Sequence, residues 1–183
     1  MLRPTKLNAT YQDVLDAPEG MRAELIDGAL YLQPRPRIGH QLALANLRDE
    51  LSRGDQESGG RGWLILPEVE IHIPFTLVPD LAGWRRERVT EPLDAPYFTV
   101  VPDWVCEVLS PSTRAYDRGV KAQKYLDRWV RHLWLIDTDE QSLEVFVARA
   151  DGWQLTGLYE GPEARGLEPF PGVALNLSRL WGG

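Results

Sequence analysis

The chain has 183 residues, with 20 Lys+Arg against 27 Asp+Glu, a formal net charge of −7 and 43% hydrophobic residues. That is enough apolar material for a sizeable core and excludes global disorder, and no apolar run approaches the roughly 18 to 20 residues that cross a bilayer. A lone cysteine, Cys106, excludes an intrachain disulfide and a thiolate zinc cluster, so any metal would take oxygen or imidazole ligands.

The first residues, MLRPTKLNATYQ, hold no apolar signal region, and the expectation is a soluble cytoplasmic protein with residues 1–183 in one domain. Thr10 with Asp13 three residues on reads as the cap of a short helix ending before Pro18. Asp27-Gly28, set between the apolar-alternating runs of AELIDGALYLQ, predicts a hairpin. Ile38 to Leu51 carries leucines at helical spacing, with Gly54 as a stop. Strands are expected over Gly62 to Ile73, Pro79 to Arg86 and Val100 to Leu109, with a loop containing Glu91 and Pro92 before the last. Ser110-Pro111-Ser112 ends that strand and caps a helix over about Thr113 to Val130, and strands follow at Leu133 to Asp137, Leu143 to Ala148 and Trp153 to Tyr159. Mixed strands with two substantial helices make the fold class α/β or α+β, and most tryptophans fall on strands or strand ends, as core and sheet edge.

Two acids and one lysine stand out. Alternation along Asp103-Trp104-Val105-Cys106-Glu107-Val108-Leu109 puts Glu107 on a face with Val105 and Leu109, and an ionised carboxylate in such a run requires a partner, hydrogen bonds or a metal. Asp80 opens another strand, just after Pro79. The helix segment Arg114 to Arg131 carries Arg114, Arg118, Lys121, Lys124, Arg128 and Arg131 against Asp117 and Asp127, a positive stretch in an acidic chain and so a candidate anion-facing surface. On a wheel of roughly 100° per residue Lys121 falls at the rim of the apolar stripe, where an i,i+4 surface pair with Asp117 is the plain expectation. Together, Asp80, Glu107 and Lys121 are what phosphodiester hydrolysis requires: two carboxylates on a divalent cation and a cation near the attacking water.

Pro79-Asp80, the segment PDWVCEVLSPSTRAYDRGVKAQKYLDRW and LWLID, with the earlier block AELIDGALYLQPRPRIGHQ holding Glu24, Gly28 and His40, resemble the Uma-two family of restriction-endonuclease-like proteins within the PD-(D/E)XK superfamily. The resemblance runs over nearly the whole chain. It implies a restriction-endonuclease-like core, a mixed β-sheet flanked by helices, and hydrolysis of DNA phosphodiesters with magnesium or manganese. Asp80 and Glu107 then match the metal-binding acids, Lys121 matches a lysine moved onto the helix, since Leu109 stands where the superfamily motif has one, and Glu24 matches a further acid of the site. At Trp129-Val130-Arg131-His132-Leu133-Trp134 the chain departs from the family's glycine turn and Glu-Tyr-Trp. DNA would lie on the basic helix face of Arg114, Arg118, Lys121, Lys124 and Arg128, and a homodimer is a further option.

Other motifs are quieter. His40, opening a helix, reads as a capping or packing residue, His72 as facing solvent or a partner, and His132 as the start of a strand; no pair has the spacing of a zinc hydrolase. Gly59-Gly60-Arg61-Gly62 lacks the Lys-Ser/Thr of a phosphate loop, and Ser110 lacks the glycines of a nucleophile elbow. The rival to a nuclease is a non-catalytic scaffold or interaction module on the same fold; an RNA- or nucleotide-cleaving hydrolase would use the same triad.

Overall fold

Strand β8 (Trp104–Leu109), buried along its length, divides the interior of the computed structural model, which describes residues 2–57, 62–90, 92 and 94–181. Its alternate side chains enter two different cores: Trp104, Cys106 and Val108 one, Val105 and Leu109 the other. Such two-sided burial is what an apolar run without alternation requires.

The elements in chain order are β1 (Lys6–Leu7), α1 (Tyr11–Leu15), β2 (Met21–Ile26), β3 (Ala29–Pro34), α2 (Ile38–Glu57), β4 (Trp63–Pro67), β5 (Ile71–His72), β6 (Thr76–Leu77) and β7 (Leu81–Arg85), then β8. A third helical stretch follows, built of α3 (Arg114–Tyr116), a π-helical segment Asp117–Lys121 and α4 (Ala122–Asp127). The chain closes with β9 (His132–Asp137), β10 (Ser142–Arg149), β11 (Gly152–Tyr159), β12 (Glu163–Leu167) and β13 (Phe170–Asn176). A six-stranded sheet has the order β11-β10-β9-β8-β7-β4, with β8 and β9 parallel and the other neighbours antiparallel. The third helical stretch makes the parallel crossover from β8 to β9. A five-stranded sheet, β1-β3-β2-β6-β5, and the β12–β13 hairpin complete the α+β architecture.

One face of the six-stranded sheet is covered by Leu44, Leu47 and Leu51 of α2 and by Ala164, Phe170 and Leu175 of the terminal hairpin. The opposite face packs against Tyr116, Ala122 and Tyr125 of the third helical stretch and against Ile26, Ile71 and Leu77 of the five-stranded sheet. Everything described below as the site lies in this second layer.

Most elements follow the sequence expectations, and the departures have local causes. The Asp27-Gly28 hairpin forms with both turn residues at positive φ (50° and 72°), the pattern of a two-residue type I′ turn. Helix α2 runs through Gly54 to Glu57, because one glycine weakens a helix without ending it. The strand expected over Gly62 to Ile73 is two strands in two different sheets, parted after Pro67 at Glu68, whose φ is 46°. The strand expected from Val100 starts only at Trp104, beyond Pro102, and the helix expected to Val130 ends at Asp127. Strands β12 and β13 lie in a stretch where no element was expected. Glu91 and the glycine loop Gly59-Gly60-Arg61 lie outside the described residues. Trp84, Trp104 and Trp134 are wholly buried and Trp63 nearly so, whereas Trp129 departs from the core expectation at 67% exposed.

Gly83 shows how tightly the β7–β8 region is packed. A Cβ there would stand 3.0 Å from the Trp104 ring and 3.4 Å from that of Trp63. Gly83→Ala should therefore lower stability by about 1–3 kcal/mol through overpacking. Gly39→Ala, in the first turn of α2 with nothing within 4 Å of the new methyl, should raise it by up to about 1 kcal/mol. Urea unfolding of both variants is the check.

Candidate active site

Asp80, Glu107, Lys121 and Glu24 come together from four separate segments. The register Leu81↔Cys106 between antiparallel β7 and β8, carried one residue on, sets Asp80 opposite Glu107, and the Val108 amide donates to Asp80 Oδ2 at 2.7 Å. Directly opposed residues of an antiparallel pair share a face. Glu24 enters from β2, where alternation puts it on the side of Arg22 and Ile26, facing the six-stranded sheet.

Lys121 joins the two glutamates. Its Nζ lies 2.8 Å from Glu107 Oε1 and 3.2 Å from Glu24 Oε1, and donates to the Val78 carbonyl at 3.2 Å, with the lysine side chain fully buried. This corrects the rim position expected from the helical wheel. The segment Asp117–Lys121 is a π turn, which takes more residues per turn than an α-helix, so the face occupied by Lys121 is rotated inward from the position an ideal wheel assigns. Asp117 is buried as well, and the expected exposed Asp117–Lys121 pair is replaced by the pairing of Lys121 with Glu24 and Glu107.

The acids are held by hydrogen bonds from every side. Glu24 accepts from the Val78 amide (2.8 Å), from Gln33 Nε2 (2.8 Å) and from the Tyr116 hydroxyl (3.0 Å). Glu107 Oε1 accepts from the Tyr125 hydroxyl at 2.5 Å, while Glu107 Oε2 is buried without a hydrogen-bond partner. Asp80 Oδ1 accepts from Arg22 Nη1 at 2.6 Å. His40 Nε2 stands 3.1 Å from Asp80 Oδ2, an ion-pair distance at which hydrogen-bond alignment is not met.

Sequence reasoning missed Arg22, Gln33, Tyr116 and Tyr125 and read His40 as a cap or packing residue. Alternation along the hairpin was the available signal for the first two: Arg22 and Gln33 are cross-strand partners, as are Glu24 and Tyr31, and a polar face on an inner hairpin has to meet something polar.

The electrostatics are lopsided. Four buried carboxyl groups, Glu24, Asp80, Glu107 and Asp117, face Arg22, Lys121 and the imidazole of His40, so acids outnumber cations whether or not His40 carries a proton. Burial pushes Glu107 up to about 8, Lys121 opposing and Asp80, Asp117 and Glu24 adding to the rise. Burial likewise raises Asp117 to about 6. Burial also works to raise Asp80, but His40, Arg22 and Lys121 outweigh it and hold that group well below the usual carboxylate range. Lys121 is raised despite burial, which favours the neutral amine, because Glu107 and Glu24 hold its proton.

Such a site fits a divalent cation by charge and by its donors. Among the described residues no three His, Cys, Asp or Glu side chains form a ready-made metal cage. Magnesium does not require one, since it retains several waters and is bound by one or two carboxylates. The free Glu107 Oε2, at the strand position opposite Asp80, supplies an open oxygen donor, and a divalent charge offsets the excess of acids.

The basic helix face has a different character from the one expected. Arg114 pairs with Asp137 (2.6 Å), Arg118 with Glu144 (2.5 Å) and Lys124 with Asp27 (2.7 Å), while Lys121 is buried. Most of the positive charge counted along that helix is neutralised within the fold.

Comparisons with known proteins agree with this architecture. The Uma2 family model, described as "Putative restriction endonuclease", matches residues 9–178. No curated protein matches the chain. A solved structure, a "putative nuclease belonging to DUF820" from Anabaena variabilis, is 23% identical, covers 94% of this chain and 97% of its own, and superposes with a TM-score of 0.76. At that identity the likeness is one of fold.

Two outcomes follow from the site. Lys121→Ala leaves Glu24 and Glu107 buried without their cation, and should cost about 3–5 kcal/mol of stability at pH 8, far more than loss of a rim lysine; adding Glu107→Gln should recover part of it. The second concerns pH. Glu107 and Asp117 keep a proton in the folded chain where the unfolded chain has lost it, so their stabilisation is full below the unfolded values of 4.5 and 3.8 and disappears as pH rises through about 6 and then about 8. His132, whose buried imidazole is lowered, acts in the opposite sense over part of this range. The contribution of Glu107 is therefore read as a difference: without metal, the melting temperature of wild type should fall more steeply between about pH 5 and pH 8 than that of Glu107→Gln.

Proposed function

Because the chain belongs to the Uma2 family of restriction-endonuclease-like proteins, we propose that it is a metal-dependent endonuclease hydrolysing DNA phosphodiester bonds, with Asp80 and Glu107 holding magnesium or manganese and Lys121 acting at the reacting centre. One observation carries this reading. Lys121 bridges Glu24 and Glu107 in full burial, in a cluster whose buried acids outnumber its cations. A scaffold gains nothing from that arrangement. A buried ion pair is rarely more stable than well-packed apolar residues, and surplus buried carboxyls are costlier still.

Asp80 and Glu107 supply oxygen ligands from neighbouring strands, and displacement of the proton from Glu107 completes the donor set. The bound ion would polarise a phosphoryl oxygen and lower the pKa of a coordinated water. Lys121, held protonated by its two glutamates, orients the water or offsets charge on the phosphate with its Nζ. Glu24 aims that ammonium, being itself fixed by Val78, Gln33 and Tyr116. Arg22 and His40, themselves partly exposed, hold Asp80 at one edge of the cluster, and Arg35 and Arg37, exposed in the loop before α2, would be available to phosphates.

In the described residues no helix is long and apolar enough to cross a membrane. The working assignment is a cytoplasmic enzyme of one domain.

Two measurements test the proposal. Millimolar magnesium or manganese should raise the melting temperature, more at pH 8 than at pH 5.5 because the ion competes with the Glu107 proton, and Asp80→Asn should abolish the shift. Under the same conditions Glu107→Gln, which keeps shape and fold, should lower cleavage of a supercoiled plasmid by a factor on the order of 100 or more. A folded wild type with no ion-dependent shift and no cleavage of DNA or RNA at any pH in this range would leave the scaffold reading in its place.

A further inference from the structure

At the far end of the third helical stretch from Lys121, Trp129 stands exposed between two cavities. The larger, of about 560 Å³, is walled by Trp129 with Arg85, Arg88, Arg128, Arg131 and His132. The smaller, of about 410 Å³, is lined by Trp129 as well and is bounded by Arg149 and Trp153. Trp129 is 67% exposed and has a φ of 58°, a left-handed conformation that a bulky residue rarely adopts. Neither burial nor backbone preference accounts for a tryptophan at this turn, where glycine would relieve the strain.

The charge of the larger cavity is equally distinctive. Four arginines line it against one carboxylate, Asp103, in a chain whose net charge is −7. Asp103 is already occupied, accepting from the Arg85 amide at 2.8 Å and from the Arg88 guanidinium. The Arg85 guanidinium carbon stands over the Trp63 ring, 4.2 Å from its centre, which holds the group in place without neutralising it. His132 Nδ1 is buried in the same wall and lacks a hydrogen-bond partner, with Glu168 Oε2 the nearest acid at 4.0 Å. The positive surface that the helix composition suggested thus lies here, at the helix end and the neighbouring strand ends, and not along the helix face.

We propose that this cleft binds an unpaired nucleotide of a nucleic-acid strand, its base stacked on Trp129 and its flanking phosphates on Arg85 and Arg131. Aromatic faces stack any base, and arginines track the backbone. Two cavities that share Trp129 as a wall accommodate successive nucleotides, whereas base-paired edges offer Trp129 no open face. The inference shares with the proposed function the premise that the substrate is nucleic acid, but it needs neither the metal nor the carboxylates.

The test is fluorescence anisotropy of a labelled 20-nucleotide oligothymidylate with the full chain in EDTA, where cleavage does not intrude. Trp129→Ala should weaken binding about tenfold or more with the melting temperature unchanged, and Trp129→Phe should restore affinity to within about threefold of wild type. Arg131→Gln should weaken binding and reduce the slope of log Kd against log salt by about one. Arg53→Gln, at an exposed arginine of α2 that lines neither cavity, should bind as wild type does, which separates this cleft from a general loss of positive charge. Wild-type affinity in Trp129→Ala would overturn the proposal. So would tighter binding of the matching duplex than of the single strand, equal competition by thymidine monophosphate and the oligonucleotide, or no binding at 50 mM salt.

Discussion

A protonated lysine buried between two glutamates organises the second layer of this protein. For Lys121 to reach Glu107 and Glu24 at once, the third helical stretch must press against β8 on one side while β2 closes from the other. The helix, the six-stranded sheet and the five-stranded sheet therefore meet at one ammonium group. Tyr116 and Tyr125 reinforce the junction, each a buried ring from the same helix that gives its hydroxyl to one of the two glutamates. The aromatic bodies supply apolar contact and the hydroxyls satisfy carboxylates, so packing and polar satisfaction are met by the same side chains.

Desolvation sets the character of the site. Every member of the cluster sits where charge is penalised, and the distribution of protons follows from which neighbours are near enough to compensate. Asp80, beside Arg22 and His40, remains anionic; Glu107, facing more acids than cations, is driven toward its neutral form. Two carboxyl groups opposed on adjacent strands thus differ in ionisation because their surroundings differ, a separation of roles that acid–base sites commonly exploit.

Much of this was legible in the sequence. Strand alternation placed Glu107 on the correct face, and the Asp27-Gly28 hairpin and the helix after Ser110 followed from local turn and capping chemistry. The match to the family covers residues 9–178. The illegible parts are those that depend on distant partners or altered helical pitch. Nothing near Arg22 in the chain announces Asp80, 58 residues away, as its partner. The acids that neutralise Arg114, Arg118 and Lys124, namely Asp137, Glu144 and Asp27, likewise come from other elements, so counting charge along one helix mistook internally paired cations for an outward surface. Trp129 shows the converse: helical spacing put it on the apolar stripe of the expected helix, and only the three-dimensional turn that ends the helix early reveals that it faces out.

The π segment at Asp117–Lys121 gives the site an unusual relation to chain length. An α-helix accommodates one additional residue within a turn by widening locally into this form. With the same residues at ordinary α pitch, Lys121 would stand about 100° further round the helix, toward the surface, and the glutamates would lie inside without their counter-charge. Deleting one residue of the segment would instead remove the bulge and leave the residues on either side of it on the faces they now occupy. The inward lysine thus depends on the match between the number of residues in this turn and its pitch, and not on the residue types alone.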